Sequence, residues 1–458
     1  MLHKKLLVVR IQVILVILIL VLPGILVAQD TTRISLLFAG DVMGHDSQIA
    51  SAYDPAKKTY DYTSCFSFIK PYIQQADLAI GNLEVTLAGP PYKGYPQFSS
   101  PDQLAQTLKD AGFDALVTAN NHCVDRGRKG LERTIDVLDA MGIPHTGTFK
   151  DSTSRAMEHP LMLYKNGFSI ALLNYTYGTN GLPVSRPNIV NLLETTIIGK
   201  DLAKARELKP DIIIVFTHWG GEYQSLPSKA QKDLTEFCFK NGATLVIGAH
   251  PHVLQPMEFR KDKNQFVAYS LGNFVSGQRK RYTDGGALAY VELEKIIFNQ
   301  DSSRTSIDSA GYYLEWVHRT ADANKDYYIL AAPDGDSRNK AFIGDVESRN
   351  AYQLFLDDSR QLFKVYNKNV KEITHRPAAE ETRYRIVLLT TDKKEDPWKI
   401  LTSQRAYIWG VDRHDGSDGR VLWTSGNFKT RAEAEKYLKR YITQHPEARV
   451  EEFSHPGS

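Results

Sequence analysis

A layered α/β fold is predicted for this 458-residue chain by two features of its sequence. Between Ile34 and Ile247, short apolar runs alternate with segments of helical period, as strands joined by helical crossovers do. Several of those runs are followed within a few residues by one that can bind metal, and the C-terminal ends of strands in such a sheet converge on one crevice. The length exceeds one ordinary core and points to a large domain with a smaller one.

The strands expected in order are Ile34–Phe38, Leu78–Ile80, Ala115–Val117, Ile170–Leu173, Ile212–Phe216 and Leu245–Ile247. Helical period marks Gln103–Ala111, Leu131–Met141 (stopped by Gly142 and Pro144) and Lys229–Lys240 (stopped by Asn241-Gly242). After Gln265 the helices give way to strands at Gln265–Ser270 and Ala287–Glu292. Gly344–Asn367 then reads as one amphipathic helix, with Leu354, Phe355, Leu362, Phe363 and Tyr366 on or near one face. The large domain is thus expected over residues 32–370. Residues 371–382, polar and containing Pro377, read as a linker. A small unit over 383–455 follows: strands at Tyr384–Leu389, Val421–Thr424 and Arg449–Phe453, and a helix Arg431–Tyr441 capped by Thr430 with Glu433 three positions on.

The N-terminus has its own character. Lys4, Lys5 and Arg10 precede an apolar run from Ile11 to Val27, which ends Leu26-Val27-Ala28. Residues 1–28 are read as a secretory signal peptide cleaved after Ala28, with an uncleaved membrane anchor as the rival. Either one places the rest of the chain outside the cytoplasm, in the periplasm or an equivalent compartment, with membrane contact only if the segment is retained. A net charge of +3 gives no case for nucleic acid. Cys65, Cys123 and Cys238 are odd in number and show no CxxC spacing, so neither a disulfide framework nor a thiolate metal site is expected.

The chemistry lies at the strand ends. Asp41 follows the first strand, Glu84 the second and Asn121-His122 the third; His218 follows another, and His250 and His252 the next. Carboxylate and imidazole together suit zinc, manganese or iron. Six or seven donors exceed the needs of one ion, so a carboxylate such as Glu84 could bridge two divalent cations. Asp125 is placed to orient an imidazole. His145, His159 and His318 lack this context and are read as structural. His45 and Asp46 could join the site or simply belong to the loop. Glu222, Gln255 and Asn273 are candidates for substrate contact or proton transfer.

At these residues the chain resembles the CapA family of capsule or poly-γ-glutamate synthesis proteins. The motifs that carry the resemblance are Gly40-Asp41, Asn82-Leu83-Glu84, Ala119-Asn120-Asn121-His122 with Asp125 and Gly127, His218-Trp219-Gly220 with Glu222-Tyr223, Gly248-Ala249-His250-Pro251-His252, and Tyr269-Ser270-Leu271-Gly272-Asn273-Phe274. The family resembles a branch of the calcineurin-like metallophosphoesterases. That implies an α-β-β-α sandwich of the metallo-dependent phosphatase type and metal-ligand roles for Asp41, Glu84, Asn121, His122, His218, His250 and His252; on the hydrolase reading of the site, Asn121, His122 and Glu222 are the residues expected to carry catalysis. Gln255 and Asn273 would contact substrate. Met43 and Glu84 depart from the phosphatase pattern, and no arginine follows Glu84. The stretch Gly419–Phe428 followed by Thr430–Ala434 resembles a SPOR domain, a small α+β peptidoglycan-binding module. Its aromatics Tyr407, Trp409 and Trp423 would either face glycan or fill a small core. Two functions follow as expectations. One is a metal-dependent hydrolase acting on a phosphoester or amide in a cell-envelope polymer; the other is a non-catalytic, metal-dependent polymer-binding or export component anchored to peptidoglycan.

Overall fold

The computed structural model describes residues 30–299, 302–322, 326–375, 381–392, 411–415, 420–428, 430–441 and 446–455. The expected signal or anchor segment lies outside them.

Two sheets pack face to face. The first has nine strands. Along its main path the order is Tyr327–Ala331, Ser302–Arg319, Gly285–Asn299, Asp30–Val42, Leu78–Leu83, Ala115–Val117, His145–Thr146. Asn273–Val275 pairs beside Asp30–Val42, and Lys371–Glu372 beside Ser302–Arg319. The second has six strands, ordered Leu254–Arg260, Gln265–Leu271, Leu245–Ala249, Ile212–His218, Phe168–Thr176, Leu161–Lys165. Its four middle strands run parallel.

Side chains of a strand alternate between faces, and here both faces are covered, which is why the runs are almost wholly apolar. Leu36 and Phe38 point between the sheets, toward Leu172, Ile214 and Ile247 of the facing sheet. Leu37 points outward to Leu104, Leu108 and Leu138 on helices Asp102–Ala111 and Gly127–Met141. On the other side, Leu173, Val215 and Val246 meet Ile198, Leu202 and Cys238 on helices Thr195–Glu207 and Lys229–Lys240. The layering is therefore α-β-β-α, as expected. Ser228 starts helix Lys229–Lys240: its hydroxyl accepts from Gln231 N (3.2 Å), and Ser228 N donates to the Gln231 amide oxygen (2.9 Å).

The region after Gln265 is richer than its sequence suggests. Gly285–Asn299 and Ser302–Arg319 form a long hairpin, and a helix Gly335–Phe342 precedes Val346–Tyr366. Ser302–Arg319 is polar and exposed over its first half and buried over its second, and its pairing slips by one residue near Glu292. That slip breaks the period-two pattern on which a strand reading depends. The expected linker begins with two residues paired into the large sheet, Lys371–Glu372 against Gly311 and Tyr312.

The C-terminal residues form a four-stranded antiparallel sheet, ordered Val411–Asp415, Arg420–Phe428, Glu381–Asp392, Arg449–His455. Ile386, Leu388, Phe428, Ala434 and Ala448 make its core with helix Arg431–Tyr441. Trp423 is buried, so it fills interior space rather than presenting an exposed face. Tyr407 and Trp409 lie outside the described residues. Among the described residues, no helix is long and apolar enough to cross a membrane.

Candidate metal centre

The two sheets share one edge at which their parallel strands end, and the ligand-type residues gather there. In the first sheet the pairing slips between Ala39 and Asp41. This bulge turns Asp41 into the crevice and sets it beside Asn82 and Asn273 on the neighbouring strands. Gly40 makes the approach possible, because a Cβ there would stand 2.1 Å from the Gly272 carbonyl oxygen. In the second sheet, His218 pairs with Thr176 on one side and Ala249 on the other, so residues 177, 218 and 250 emerge together. His250 and His252 both hold left-handed backbone, φ +97° and +57°. Non-glycine residues rarely adopt it, and strain of this kind concentrates where side chains must be aimed.

Two groups of donors result. Glu84, His218 and His250 form one; Asp41, Glu84 and His252 form the other; within each, one ligand atom per residue lies within 4.8 Å of the rest. All are buried. Glu84 belongs to both, and each group draws on both sheets. His218 Nε2 lies 3.4 Å from Glu84 Oε1, and His252 Nδ1 lies 3.1 Å from Asp41 Oδ2.

The chemistry of the set fits a cation. Both carboxylate oxygens of Glu84 and Nδ1 of His250 are buried without a hydrogen-bond partner. Leaving such atoms unpaired is costly, and a divalent cation is the partner that would satisfy them. Burial and then the Asp41 carboxylate push the Glu84 carboxyl well above the usual carboxylate range. Burial and then the imidazoles of His250, His252 and His122 hold His218 well below the usual histidine range, and burial followed by His252 pushes His250 down to about 4. Neutral imidazoles keep a lone pair to offer a metal.

Around this core the side chains are held in place. Asn82 Nδ2 donates to Asp41 Oδ1 (2.8 Å). Asn121 Oδ1 lies 2.8 Å from His218 Nε2, while its Nδ2 donates to Asn180 Oδ1 (3.3 Å). The Tyr177 hydroxyl donates to that same Asn180 oxygen (3.0 Å), and the Tyr177 ring lies 4.5 Å from His250. His122 stands beside the two groups with Nδ1 2.8 Å from Asp125 Oδ2, which also accepts from Phe98 N (2.7 Å). Asp125 thus orients an imidazole, as its spacing suggests.

The remaining candidates fall differently. Glu222 is exposed in the loop before helix Lys229–Lys240, close enough for its charge to act on Glu84. Gln255 is buried and turned to the loop: its amide donates to the carbonyls of Gln224 (2.7 Å) and Leu226 (3.3 Å) and accepts from Gln231 (2.8 Å). Asn273 is likewise engaged, with Oδ1 3.0 Å from His252 Nδ1 and Nδ2 donating to the Thr283 carbonyl (2.8 Å). Each nitrogen and oxygen of the two amides thus has a partner within the protein. His45 takes a hydrogen bond from Gly277 N (3.1 Å), and Asp46 one from Gly94 N (2.8 Å), so both brace loops. The sequence reading missed Tyr177 and Asn180. The strand leading to them was predicted to stop at Leu173; it runs to Thr176, and the rule that found the other residues would then have reached Tyr177.

Residues 35–278 match the family described as bacterial capsule synthesis protein PGA_cap, and the chain belongs to it. It is 30% identical over 281 residues to a capsule biosynthesis protein CapA of Bacillus anthracis, covering 58% of this chain and 65% of that one. It is 28% identical over 270 residues to a PGA biosynthesis protein CapA of Bacillus subtilis (strain 168), covering 57% and 68%. This chain thus spans about two thirds of each relative's length. Solved structures it is similar to include the calcineurin-like phosphoesterase YfkN of Bacillus subtilis, at 14% identity and a TM-score of 0.41 over 72% of this chain and 99% of that one.

Proposed function

We propose that the protein is an exported, metal-dependent hydrolase that cuts a phosphoester or amide in a capsule-type cell-envelope polymer. The observation that carries the proposal is Glu84: a buried carboxylate with both oxygens unpartnered, shared by two donor groups. Glu315 is also buried with both oxygens unpartnered, but Glu84 alone of the two stands among imidazoles and a second carboxylate that could hold a cation with it.

In this reading Asp41, Glu84, Asn121 (through Oδ1), His218, His250 and His252 hold one or two divalent ions, manganese, zinc or iron. Such ions supply Lewis-acid polarisation of a substrate oxygen and acidify water. Asp125 fixes the His122 ring through Nδ1, leaving Nε2 to pass a proton to the leaving group. Glu222, at the exposed rim, faces incoming substrate. Asn273 and Gln255 keep His252 and the rim loop in place. The C-terminal unit, over residues 383–455, would hold the enzyme to peptidoglycan, and residues 1–28 would direct export.

The test is turnover of bis(p-nitrophenyl) phosphate and of a γ-glutamyl amide by protein loaded separately with each metal. His122→Ala should lower kcat by about a hundredfold or more while metal content is unchanged. Wild-type protein that holds metal and binds polymer but turns over neither compound would replace the hydrolase with a binding or export component.

A further inference from the structure

Beside the metal groups, one lysine is held without an ionic partner. The loop between Asn273–Val275 and Gly285–Asn299 carries Arg279, Lys280 and Arg281 in succession. The two arginines are engaged. The Arg279 guanidinium lies 5.2 Å from the Tyr327 ring centre and donates to the Gln278 carbonyl (2.8 Å). Arg281 makes a two-pronged pair with Asp358, both contacts at 2.8 Å. Lys280 differs: among the described residues, no carboxylate comes within ion-pair distance of it. Its ammonium instead sits 4.5 Å from the centre of the Tyr223 ring.

That placement is built. Thr283 donates twice to the Lys280 carbonyl, from its amide (3.0 Å) and its hydroxyl (2.8 Å). The loop is tied to the metal groups through Asn273, which holds the Thr283 carbonyl on one side and His252 on the other. Tyr223 is fixed as firmly: it holds left-handed backbone, φ +62°, and its amide donates to the Pro251 carbonyl (2.8 Å), between the two histidines. The residue is 40% exposed and its ring centre lies 6.2 Å from that of His252. A strained tyrosine thus carries an ammonium beside a metal-group imidazole. An ammonium over a ring keeps its hydrogens available to an anion arriving from solvent.

We propose that Lys280, seated on Tyr223, anchors an anionic group of the substrate, a carboxylate or a phosphate, next to the bond held at the metal groups. This deepens the hydrolase proposal and rests on the same crevice. The substrate is then one that carries negative charge beside the cleaved bond, as an acidic polymer does in every unit. The ring fixes the distance between charge and bond. Glu222, next to Tyr223 in the chain and close enough for its charge to act on that ring, faces the same opening and sets a limit on how many negative charges can enter.

The test is binding, read by calorimetry on the metal-loaded full chain, so that it does not depend on turnover. The probes are inorganic phosphate, a γ-linked glutamate pentamer and the neutral γ-linked glutamine pentamer. Lys280→Gln should weaken the acidic probe about tenfold, leave the neutral pentamer and the metal content unchanged, and Lys280→Arg should restore binding. Loss confined to phosphate, or confined to the glutamate pentamer, identifies which anion the subsite takes. Acidic probes bound within about twofold of wild type by Lys280→Gln would overturn the proposal, as would a wild-type protein that binds the neutral pentamer as tightly as the acidic one. Turnover is measured in parallel: Lys280-dependent binding without hydrolysis would retire the hydrolase and keep the subsite.

Discussion

Two buried clusters of carboxylate and histidine lie in this molecule, and they are built on opposite principles. Around Asp201 every donor is matched. Its Oδ2 receives Arg155 (2.6 Å) and the Tyr175 hydroxyl (2.9 Å), His159 Nε2 lies 3.3 Å away, and Arg155 also donates to Asn191 (2.7 Å). The cluster closes on itself and ties helix Thr195–Glu207 to the strand beneath it. Around Glu84 the arrangement is the reverse: two carboxylates close together, two imidazoles (His218 and His250) held below the usual histidine range by burial, and Glu84 oxygens with nothing to accept. Burial is similar in both, so burial alone does not mark a functional site. What separates them is whether the polar atoms are satisfied within the protein.

The comparison predicts effects of opposite sign. Asp201→Asn removes one partner of a buried pair and should lower unfolding free energy by about 3 kcal/mol. Glu84→Gln removes a buried carboxyl that no donor closes, beside Asp41, and in metal-free protein should leave stability unchanged or raise it by about 1 kcal/mol. Chemical denaturation of the two metal-free variants reads both. Equal destabilisation would show that Glu84 is held by protein contacts after all.

Acid sharpens the same contrast. Burial raises the Asp201 carboxyl, but hydrogen bonds from His159 and Arg155 outweigh it and hold the group at about 2. The folded value lies below the unfolded value of about 4. Its contribution, about 2 kcal/mol, is therefore complete above pH 4 and lost as pH falls toward 2. Denaturation midpoints measured across that window should fall less in Asp201→Asn than in wild type, after its lower starting stability is subtracted. A smaller effect is expected at the rim of the metal groups. Asn180→Ala frees the Asn121 amide to rotate and should weaken metal binding about tenfold, with Tyr177→Phe a milder version. Competition with a fluorescent chelator measures this; unchanged affinity in both variants would mean that Asn121 is oriented by other contacts.

Much of the large domain was legible in the sequence because two periodicities agree there. Ala115–Val117 and Lys229–Lys240 are predicted with the bounds observed, since apolar runs covered on both faces and a capped helix leave little ambiguity. The donor residues were legible because each comes within a few residues of the end of such a run. Orientation was not. Gln255 and Asn273 have the right chemistry in the right neighbourhood, yet their amides are turned to the protein, which depends on partners distant in sequence. The Ser302–Arg319 strand was missed because its outer half is solvated and its pairing slips. Lys280 is hidden in a run of three basic residues, and only the pairing of Arg281 with Asp358, 77 positions away, sets it apart.

The most direct measurement is metal per chain, by elemental analysis of the full-length protein after equilibrium dialysis against manganese, zinc or iron, for wild type, Glu84→Ala and Asp201→Asn. The account predicts near-stoichiometric metal in wild type and Asp201→Asn, and more than about a hundredfold weaker retention in a folded Glu84→Ala. Glu84→Ala that retains as much metal as wild type, or wild-type protein that takes up none of the three, would contradict it.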